Sequence, residues 1–212
     1  MNLDSIRTVH DVLPKFGLKK LQQTLLSPSF PWFFIPNTAY FEVSKSNVIN
    51  DCNRPMANGW SHTVYEEGQI LGSHIHLLEL ALMEAAEKAN IPVSKIIRIR
   101  IGLILSNEIS HRLNGAHVDY TEPHTTALFY LNNSDGDTIL YNEMYDMNYR
   151  TIDEVEDKSR EYYNSVLKNA GTIDTTITPE ENKFVFFNGL KYHSSSTPLK
   201  NNYRIVVNYN FI

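Results

Sequence analysis

The sequence has little cysteine and no excess of positive charge. Its 212 residues include one cysteine, Cys52, so an intramolecular disulfide and a cysteine-based zinc site are both excluded. Its 24 acidic residues outnumber its 19 basic residues, and the formal net charge is -5. This balance gives no electrostatic footprint for nucleic acid or for an anionic membrane. We therefore expect neither among the partners of the protein.

Long apolar runs are also missing. No stretch approaches the ~18 apolar residues of a membrane-spanning helix. The N-terminal segment Met1–Asp4 lacks the basic and apolar regions of a signal peptide. A reducing cytosol is the simplest compartment for such a chain, so we expect a cytoplasmic protein. The length fits one large domain with a full core, and the sequence carries no signal for an oligomeric state.

The first 95 residues contain two helical patterns and an aromatic run. Apolar side chains share one face over Gly17–Leu26 and recur every three or four positions over Gln69–Asn90, which predicts two helices. His74 and His76 lie in the second helix, but side chains two apart on a helix diverge and cannot bind one metal. The run Phe30–Pro36 is expected to be an edge strand packed on the core, rather than a substrate wall.

From Lys95 onward the apolar period changes from 3.6 to 2, which is typical of strands. Arg98 and Arg100 share one face of the first strand, and we expect them to face solvent rather than to support a bound ligand. Residues 141–170 interrupt the pattern, because Asp153–Lys168 predicts a helix on a surface insertion. The predicted strands are 95–105, 125–131, 138–141, 172–178, 183–187, 190–194 and 203–211. Strands that follow N-terminal helices predict an α+β fold with helices on an antiparallel barrel or sandwich.

The first candidate site is His117-Val118-Asp119, which lies in a short β-like segment. Side chains of a strand alternate between faces, so His117 and Asp119 converge on one face while Val118 points to the other. An imidazole and a carboxylate at this separation make half of a metal site. Because such a pair occurs often by chance, its significance depends on a third ligand.

His193 is the candidate for the third ligand, because it lies late in the β region, just before the final strand. Two imidazoles and one carboxylate can bind one face of an octahedral ion and leave three positions open, as in non-haem Fe(II) sites. A closed structural zinc site would need four protein ligands. His111 and His124 lie in flanking loops, where we expect exposed histidines, with substrate contact as the alternative.

Arg204 begins the final strand and shares one face with Val206 and Asn208. An arginine on an inward face needs an anionic partner, because an unpaired buried charge is costly. Its planar guanidinium matches a carboxylate bidentately. The alternatives are an internal salt bridge and an arginine that faces solvent. The presence of His193 and the His-x-Asp pair favours an anion-binding role.

The order of these residues resembles a known family. His117-x-Asp119, His193 and Arg204 follow one another on successive β-segments as in the 2-oxoglutarate- and Fe(II)-dependent dioxygenases, and most closely as in their prolyl 4-hydroxylase-like branch. Three further stretches are similar to that branch. They are Thr125–Asn132 with its Tyr-Leu-Asn ending, the Gly-containing turn Asp135–Thr138, and the apolar strand Lys183–Asn188 before the second histidine. The resemblance covers about residues 95–212.

The resemblance implies a fold and a domain organisation. The fold would be a double-stranded β-helix, a jelly-roll or cupin-like barrel, with N-terminal helices packed against it. A single dioxygenase domain would span residues 1–212. Residues 1–95 would give it helical and aromatic support, and 96–212 would form the jelly-roll catalytic core with an insertion near 141–170.

The resemblance also implies roles for individual residues. Fe(II) would be bound by His117, Asp119 and His193. Arg204 would bind the distal carboxylate of 2-oxoglutarate, and Tyr130 would donate a hydrogen bond to the same group, unless it is an ordinary core tyrosine. Asn208 would support this site from the inward face. With 2-oxoglutarate and dioxygen as cosubstrates, the enzyme would hydroxylate a C–H bond and release succinate and CO2.

The substrate is not indicated by these residues. A peptidyl proline or another protein residue is the first expectation, and a small metabolite is the next. Two other classes of protein remain as alternatives. One is a cupin-like metalloenzyme that does not use 2-oxoglutarate, and the other is a non-catalytic β-sandwich binding module.

Overall fold

The computed structural model describes residues 3–35, 58–106, 114, 116–145 and 172–212. The helices are α1, Lys15–Leu25, and α2, Ile75–Ala89. The strands are β1 Arg7–His10, β2 Phe33–Ile35, β3 Gly59–Glu66, β4 Gln69–Ile70, β5 Ile96–Leu105, β6 Thr125–Tyr130, β7 Thr138–Met144, β8 Ile173–Ile177, β9 Lys183–Asn188, β10 Lys191–Ser195 and β11 Tyr203–Phe211.

The helices form where apolar side chains recur at helical spacing. Helix α1 begins after Pro14 and buries Leu18, Leu21 and Leu25, which are spaced three and four residues apart. Helix α2 ends at Asn90, which adopts a left-handed backbone conformation with φ of 53° and caps the last turn. None of the helices in the described residues is both long and apolar enough to cross a membrane.

The predicted start of the second helix at Gln69 is wrong. Glu67 and Gly68 have φ values of 46° and 92°, and two positive φ values in succession make a tight hairpin turn. The turn pairs β4 with β3, with Tyr65 opposite Ile70. The apolar residues at 70 and 71 therefore belong to a hairpin, and the helix starts only at Ile75.

The strands form two antiparallel sheets. The large sheet has the order β1-β9-β6-β11-β5-β3-β2, with β4 paired to β3, and the small sheet has the order β10-β7-β8. An isolated bridge between His117 and His193 adds one more segment to the small sheet beside β10. Between the described strands, the two sheets are not joined into a closed barrel.

The two faces of β11 show how the layers are arranged. Ile205, Val207, Tyr209 and Phe211 point into the main core, and the Tyr209 hydroxyl donates to the Leu78 carbonyl of α2 at 3.1 Å. The alternate residues of β11 face the small sheet, where Val206 packs in a second cluster with residues of β6, β7, β8 and β9. The fold is the predicted double-stranded β-helix with helices packed against it.

The N-terminal region contributes more than helices and aromatic support, because β1, β2 and β3 are strands of the large sheet. Strand β2 is an edge strand, as predicted. The prediction that this strand packs on the core is wrong for Phe33 and Phe34, which are 64% and 57% exposed. Among the described residues, β2 pairs only with β3. Cys52, His111 and the helix predicted over Asp153–Lys168 lie outside the described residues.

Candidate metal and anion site

A cavity of about 80 Å³ lies between the two sheets. The inward face of β11 contributes Arg204, Val206 and Asn208 to its wall, because these residues alternate with the core residues of that strand. His117 and His193 line the cavity from the small sheet. The cavity therefore contains most of the side chains that the sequence singles out.

Three potential metal ligands meet at one end of this cavity. One ligand atom from each of His117, Asp119 and His193 lies within 4.8 Å of the other two. His193 Nε2 is 3.7 Å from Asp119 Oδ2, and the centroids of the two imidazole rings are 4.6 Å apart. The predicted strand around residue 117 is reduced to a single bridge, but His117 and Asp119 do converge on one side.

Backbone pairing holds the two histidines together. The His117 N–H donates to the His193 carbonyl, and the His193 N–H donates to the His117 carbonyl, both at 2.9 Å. The Nδ1 atom of His193 lies 3.1 Å from the Lys191 carbonyl. Because a carbonyl can only accept, Nδ1 donates a proton to it, and Nε2 is the ring nitrogen that faces Asp119.

The Asp119 carboxylate is buried and bound on both oxygens. Arg98 Nη2 donates to Oδ1 at 2.8 Å, while the amides of Asn208 and Asn210 each donate to Oδ2 at 3.0 Å. Burial alone would raise the pKa of Asp119, but the charges of Arg98 and His193 outweigh burial and hold the pKa well below its usual value. The carboxylate is therefore an anion at neutral pH.

The prediction that Arg98 faces solvent is wrong, because its side chain is only 12% exposed and pairs with Asp119. Arg98 lies opposite Asn210 in the pairing of β5 with β11, so both residues reach the same carboxylate. Asn210 was not predicted. The sequence does contain a signal for it, since Asn210 follows Asn208 by two positions and must share its strand face.

Arg204 lies at the other end of the cavity wall and is 4% exposed. Its Nη2 donates to Thr138 Oγ1 at 2.8 Å, and its guanidinium lies 5.6 Å from the centre of the Tyr130 ring. Its Nε has no hydrogen-bond partner, and among the described residues no carboxylate forms an ion pair with it. Burial lowers the pKa of Arg204, and Tyr130 opposes this effect. The guanidinium is a buried cation with no carboxylate at ion-pair distance among the described residues, and the more distant Asp137 also opposes the lowering of its pKa.

Thr138 is a residue of the cavity wall to which the sequence analysis assigned no role. Its hydroxyl oxygen accepts from both Arg204 and Tyr130, at 2.8 and 2.9 Å. A hydroxyl has two acceptor sites and one donor, so the O–H proton of Thr138 is left to donate to a third group. Thr138 lines the cavity. Tyr130 is fully buried, and its hydroxyl donates its proton to Thr138. Its predicted direct contact with a ligand stays a prediction.

His124 does not match the expectation of an exposed loop residue, because it is 1% exposed. Its Nδ1 lies 2.7 Å from the Glu122 carbonyl, and its Nε2 lies 3.3 Å from Thr126 Oγ1. A Cβ atom at Gly189 would lie 2.1 Å from His124 Nε2. Glycine at that position therefore makes room for the ring. His124 is a packed structural histidine.

Comparison with known proteins gives matches only among solved structures. No protein-family model matches the chain, and no curated protein matches it in sequence. An oxidoreductase of the 2OG-Fe(II) oxygenase family from Burkholderia pseudomallei superposes with a TM-score of 0.61 at 10% identity, covering 97% of this chain and 84% of that chain. The α-ketoglutarate-dependent epimerase SnoN from nogalamycin biosynthesis gives 0.60 at 11% identity, covering 99% and 78%.

A prolyl hydroxylase from Trichoplax adhaerens, in complex with a hypoxia inducible factor peptide fragment, gives a TM-score of 0.55 at 12% identity. The match covers 98% of this chain and 83% of that chain. At such low identity the likeness shows the fold. The resemblance predicted from the sequence is therefore confirmed at the level of the fold, which prolyl hydroxylases share.

Proposed function

We propose that this protein is a 2-oxoglutarate- and Fe(II)-dependent oxygenase that hydroxylates a C–H bond of its substrate. The observation that carries the proposal is one cavity with a His-Asp-His cluster at one end and a buried, unpaired arginine at the other. A metal site alone, or an arginine alone, would have many explanations. Their combination in one cavity fits a small dianion that reaches from a metal to a cation.

The metal end fits Fe(II) by its donor set. His117, Asp119 and His193 offer two imidazole nitrogens and one carboxylate oxygen, which is the donor set of non-haem Fe(II) sites with open positions. No fourth histidine, cysteine or acidic residue joins the cluster within the part of the chain that the structure describes. A closed tetrahedral site, as used by structural zinc, would require one.

The Arg204 end fits the distal carboxylate of 2-oxoglutarate. The partnerless Nε and the Thr138 hydroxyl proton are two donors without acceptors, and both belong to residues that line the cavity. A carboxylate can accept from both at once. Val206 and Leu128 line the cavity as well, and such apolar side chains suit the methylene carbons of the cosubstrate. Gly102 on β5 leaves the wall open, because it presents no side chain.

Each residue of the site would have its own role in the reaction. Bound Fe(II), 2-oxoglutarate and dioxygen would supply the oxidising power for hydroxylation, with succinate and CO2 as coproducts. Arg98, Asn208 and Asn210 hold the Asp119 carboxylate so that both of its oxygens have fixed orientations. Arg204 and Thr138 would fix the cosubstrate, and the apolar wall would keep bulk water from the reacting centre.

The unpaired Arg204 also weighs against the two alternatives. A cupin-like metalloenzyme without 2-oxoglutarate has no need for a buried cation in this wall. A non-catalytic binding module would have no need for converging metal ligands. The fold itself does not decide between substrates, because the solved structures that share it include an epimerase and a prolyl hydroxylase with a bound peptide. Peptidyl proline or another protein residue, and then a small metabolite, remain the proposed substrates, in a cytoplasmic enzyme.

The proposal is tested by measuring succinate formed from 2-oxoglutarate in air, with and without Fe(II), in wild-type protein and in Arg204→Gln. Enzymes of this type turn over slowly without substrate if the cosubstrate binds, so we expect Fe(II)-dependent succinate. Arg204→Gln is expected to raise the KM for 2-oxoglutarate by about 10- to 100-fold, since a hydrogen bond to a charged group is worth about 1.5–3 kcal/mol. Arg7→Gln, which changes an exposed arginine bonded to the Ala89 carbonyl, is the matched control. Equal succinate in Arg204→Gln and wild type would contradict the proposal.

A further inference from the structure

A second cation without an anion lines the same cavity. Arg100 lies on β5 directly opposite Asn208 of β11, so it belongs to the metal end of the cavity, away from Arg204. It is half-buried and contributes to the cavity wall. The structure shows no hydrogen bond and no ion pair between its guanidinium and any other described residue.

Asp119 does not serve as the partner of Arg100. Its Oδ1 accepts from Arg98, and its Oδ2 accepts from two asparagine amides. Burial and the neighbouring charge of Arg98 lower the pKa of Arg100, while the more distant Asp119 and Glu66 act in the opposite direction. Arg98 and Arg100 point to the same side of β5, and the one buried carboxylate that the described residues place there is bound by Arg98. Arg100 therefore keeps an uncompensated charge.

The cosubstrate would not remove this imbalance. Under the proposed function its distal carboxylate binds Arg204 at the opposite end, and its other carboxylate binds the metal, so neither is assigned to Arg100. Between the level of Arg100 and that of Arg204, the wall contains Ser61 and Trp60 of β3, which pair with Gly102 and Leu103 of β5, and also Ile35 of β2. An apolar wall with one cation is suited to a molecule with an apolar body and an anionic group.

We propose that Arg100 binds an anionic group, a carboxylate or a phosphate, of the primary substrate, whose apolar body lies against Trp60 and Ile35. The structure thus points to an acidic substrate for this cavity. The catalytic part of this inference rests on the proposed oxygenase function, because only that function places a C–H bond next to the metal. The anion-binding part can be measured independently of turnover.

The binding test uses the two tryptophans of the chain as reporters in NMR spectra of the zinc-loaded protein. Zinc has no redox chemistry, so no turnover occurs. Trp60 lines the same cavity as Arg100 and lies opposite Leu103 of β5, whereas Trp32 donates its indole N–H to the Leu25 carbonyl and is an internal control. With 2-oxoglutarate saturating, acetate and inorganic phosphate are titrated separately. We expect a saturable shift of the Trp60 indole N–H and none for Trp32.

Arg100→Gln and Arg100→Lys are the variants, and Arg7→Gln is the control. Arg100→Gln should weaken the binding of the small anion by about tenfold or more, Arg100→Lys should weaken it less, and Arg7→Gln should not change it. The dissociation constant of 2-oxoglutarate should be the same in all four proteins. An equal Trp60 response in Arg100→Gln and wild type would overturn the proposal. Weaker 2-oxoglutarate binding in Arg100→Gln would also overturn it, because Arg100 would then serve the cosubstrate.

A turnover test gives the substrate class. Succinate formation is screened with pairs of compounds that differ only in a carboxylic acid or its carboxamide, and with phosphate monoesters and the corresponding alcohols. Acids or phosphates should stimulate wild type more than their neutral partners, and Arg100→Gln should remove this preference by raising the KM for the anionic member about 10- to 100-fold. Stimulation by neutral members alone would overturn the proposal. If zinc and 2-oxoglutarate do not bind at all, the proposed function fails. Anion titration of the metal-free protein, followed at Trp60, then still tests whether Arg100 binds an anion.

Discussion

The two ends of the cavity contain buried charges in opposite states. At the metal end, Asp119 accepts three hydrogen bonds, and one of them comes from the guanidinium of Arg98. At the other end, Arg204 is just as buried but has one hydrogen bond to Thr138 and no carboxylate among the described residues. The first charge is compensated within the protein. The second has no carboxylate at ion-pair distance among the described residues, and in the proposed function the cosubstrate would supply one.

This difference distinguishes Arg98, which fixes the position of Asp119, from Arg204, which the proposed function assigns to the cosubstrate. A buried ion pair loses about 3–5 kcal/mol when one partner is removed, because the other charge is left without compensation. Replacing a buried cation that has no anionic partner should change the free energy of unfolding of the ligand-free protein only a little. Stability measurements on the ligand-free protein can therefore distinguish the two ends without any assay of activity.

The largest effect is expected for Asp119→Asn. The substitution removes the anionic metal ligand and leaves Arg98 without its partner, so Fe(II) affinity should fall by about 100-fold or more. Asp174→Asn, which loses a surface pair with Lys191 at 2.9 Å, is the matched control and should bind Fe(II) normally. Anaerobic calorimetry measures both. Fe(II) binding by Asp119→Asn at wild-type affinity would show that this carboxylate is not a ligand.

Two substitutions, Arg98→Met and Arg204→Met, test most directly whether the two ends differ in their contribution to stability. In the metal-free protein, Arg98→Met should lower the free energy of unfolding by about 3–5 kcal/mol, because it leaves the Asp119 carboxylate buried and unpaired. Arg204→Met should change it by about 1 kcal/mol or less, since one hydrogen bond is lost and an unpaired charge is removed. Urea unfolding gives both values. Equal destabilisation by the two substitutions would remove the distinction between the ends.

A smaller effect is expected at Thr138. Thr138→Val keeps the shape of the side chain but removes the hydroxyl that joins Arg204 to Tyr130. The dissociation constant of 2-oxoglutarate should rise about fivefold, in line with one neutral hydrogen bond of about 1 kcal/mol. Thr138→Ser keeps the hydroxyl and should bind the cosubstrate as wild type does. If valine and serine behave alike in calorimetry, the hydroxyl makes no contact with the ligand.

The smallest effect concerns a carboxylate outside the cavity. Asp135 accepts from the backbone N–H groups of Leu199, Lys200 and Asn201. Burial raises the pKa of Asp135, but the backbone hydrogen bonds together outweigh burial and lower it. A lowered pKa in the folded state means that the stabilisation is present above about pH 4, the ordinary value of an aspartate, and is lost as the pH falls through the folded value.

Asp135→Asn should therefore lower the free energy of unfolding by about 1 kcal/mol at pH 7, and the difference from wild type should shrink below about pH 4. Urea unfolding at several pH values measures it. A difference that stays constant down to pH 3 would show that ionised Asp135 does not cap this loop.

The sequence predicted strands from residue 95 onward, because period-2 patterns indicate strands and fix which side chains share a face. This alternation indicated the convergence of His117 and Asp119, whereas His193 was singled out by its place before the final strand. Strands β1 and β3 were not predicted. The hairpin that replaces the first turn of the second helix was missed, because apolar residues at 70 and 71 fit helical spacing, and only the positive φ values of Glu67 and Gly68 reveal the turn.

The environment of charged groups could not be predicted from the sequence. Arg98 and Arg100 have the same pattern and the same strand face, yet one pairs with Asp119 and the other lines the cavity alone. His124 has the sequence context of a loop histidine, but it is buried beside Gly189. Burial and partners depend on contacts between segments far apart in the chain, such as that of Arg98 with Asp119, and strand periodicity does not report them.

The most direct test of the central claim is a titration of 2-oxoglutarate into anaerobic, Fe(II)-loaded protein by calorimetry, in wild type and Arg204→Met. The account predicts one equivalent of 2-oxoglutarate bound per chain in wild type, much weaker binding without Fe(II), and about 10- to 100-fold weaker binding in Arg204→Met at unchanged Fe(II) affinity. Absence of 2-oxoglutarate binding to the Fe(II)-loaded wild type, or equal affinity in Arg204→Met, would contradict the account.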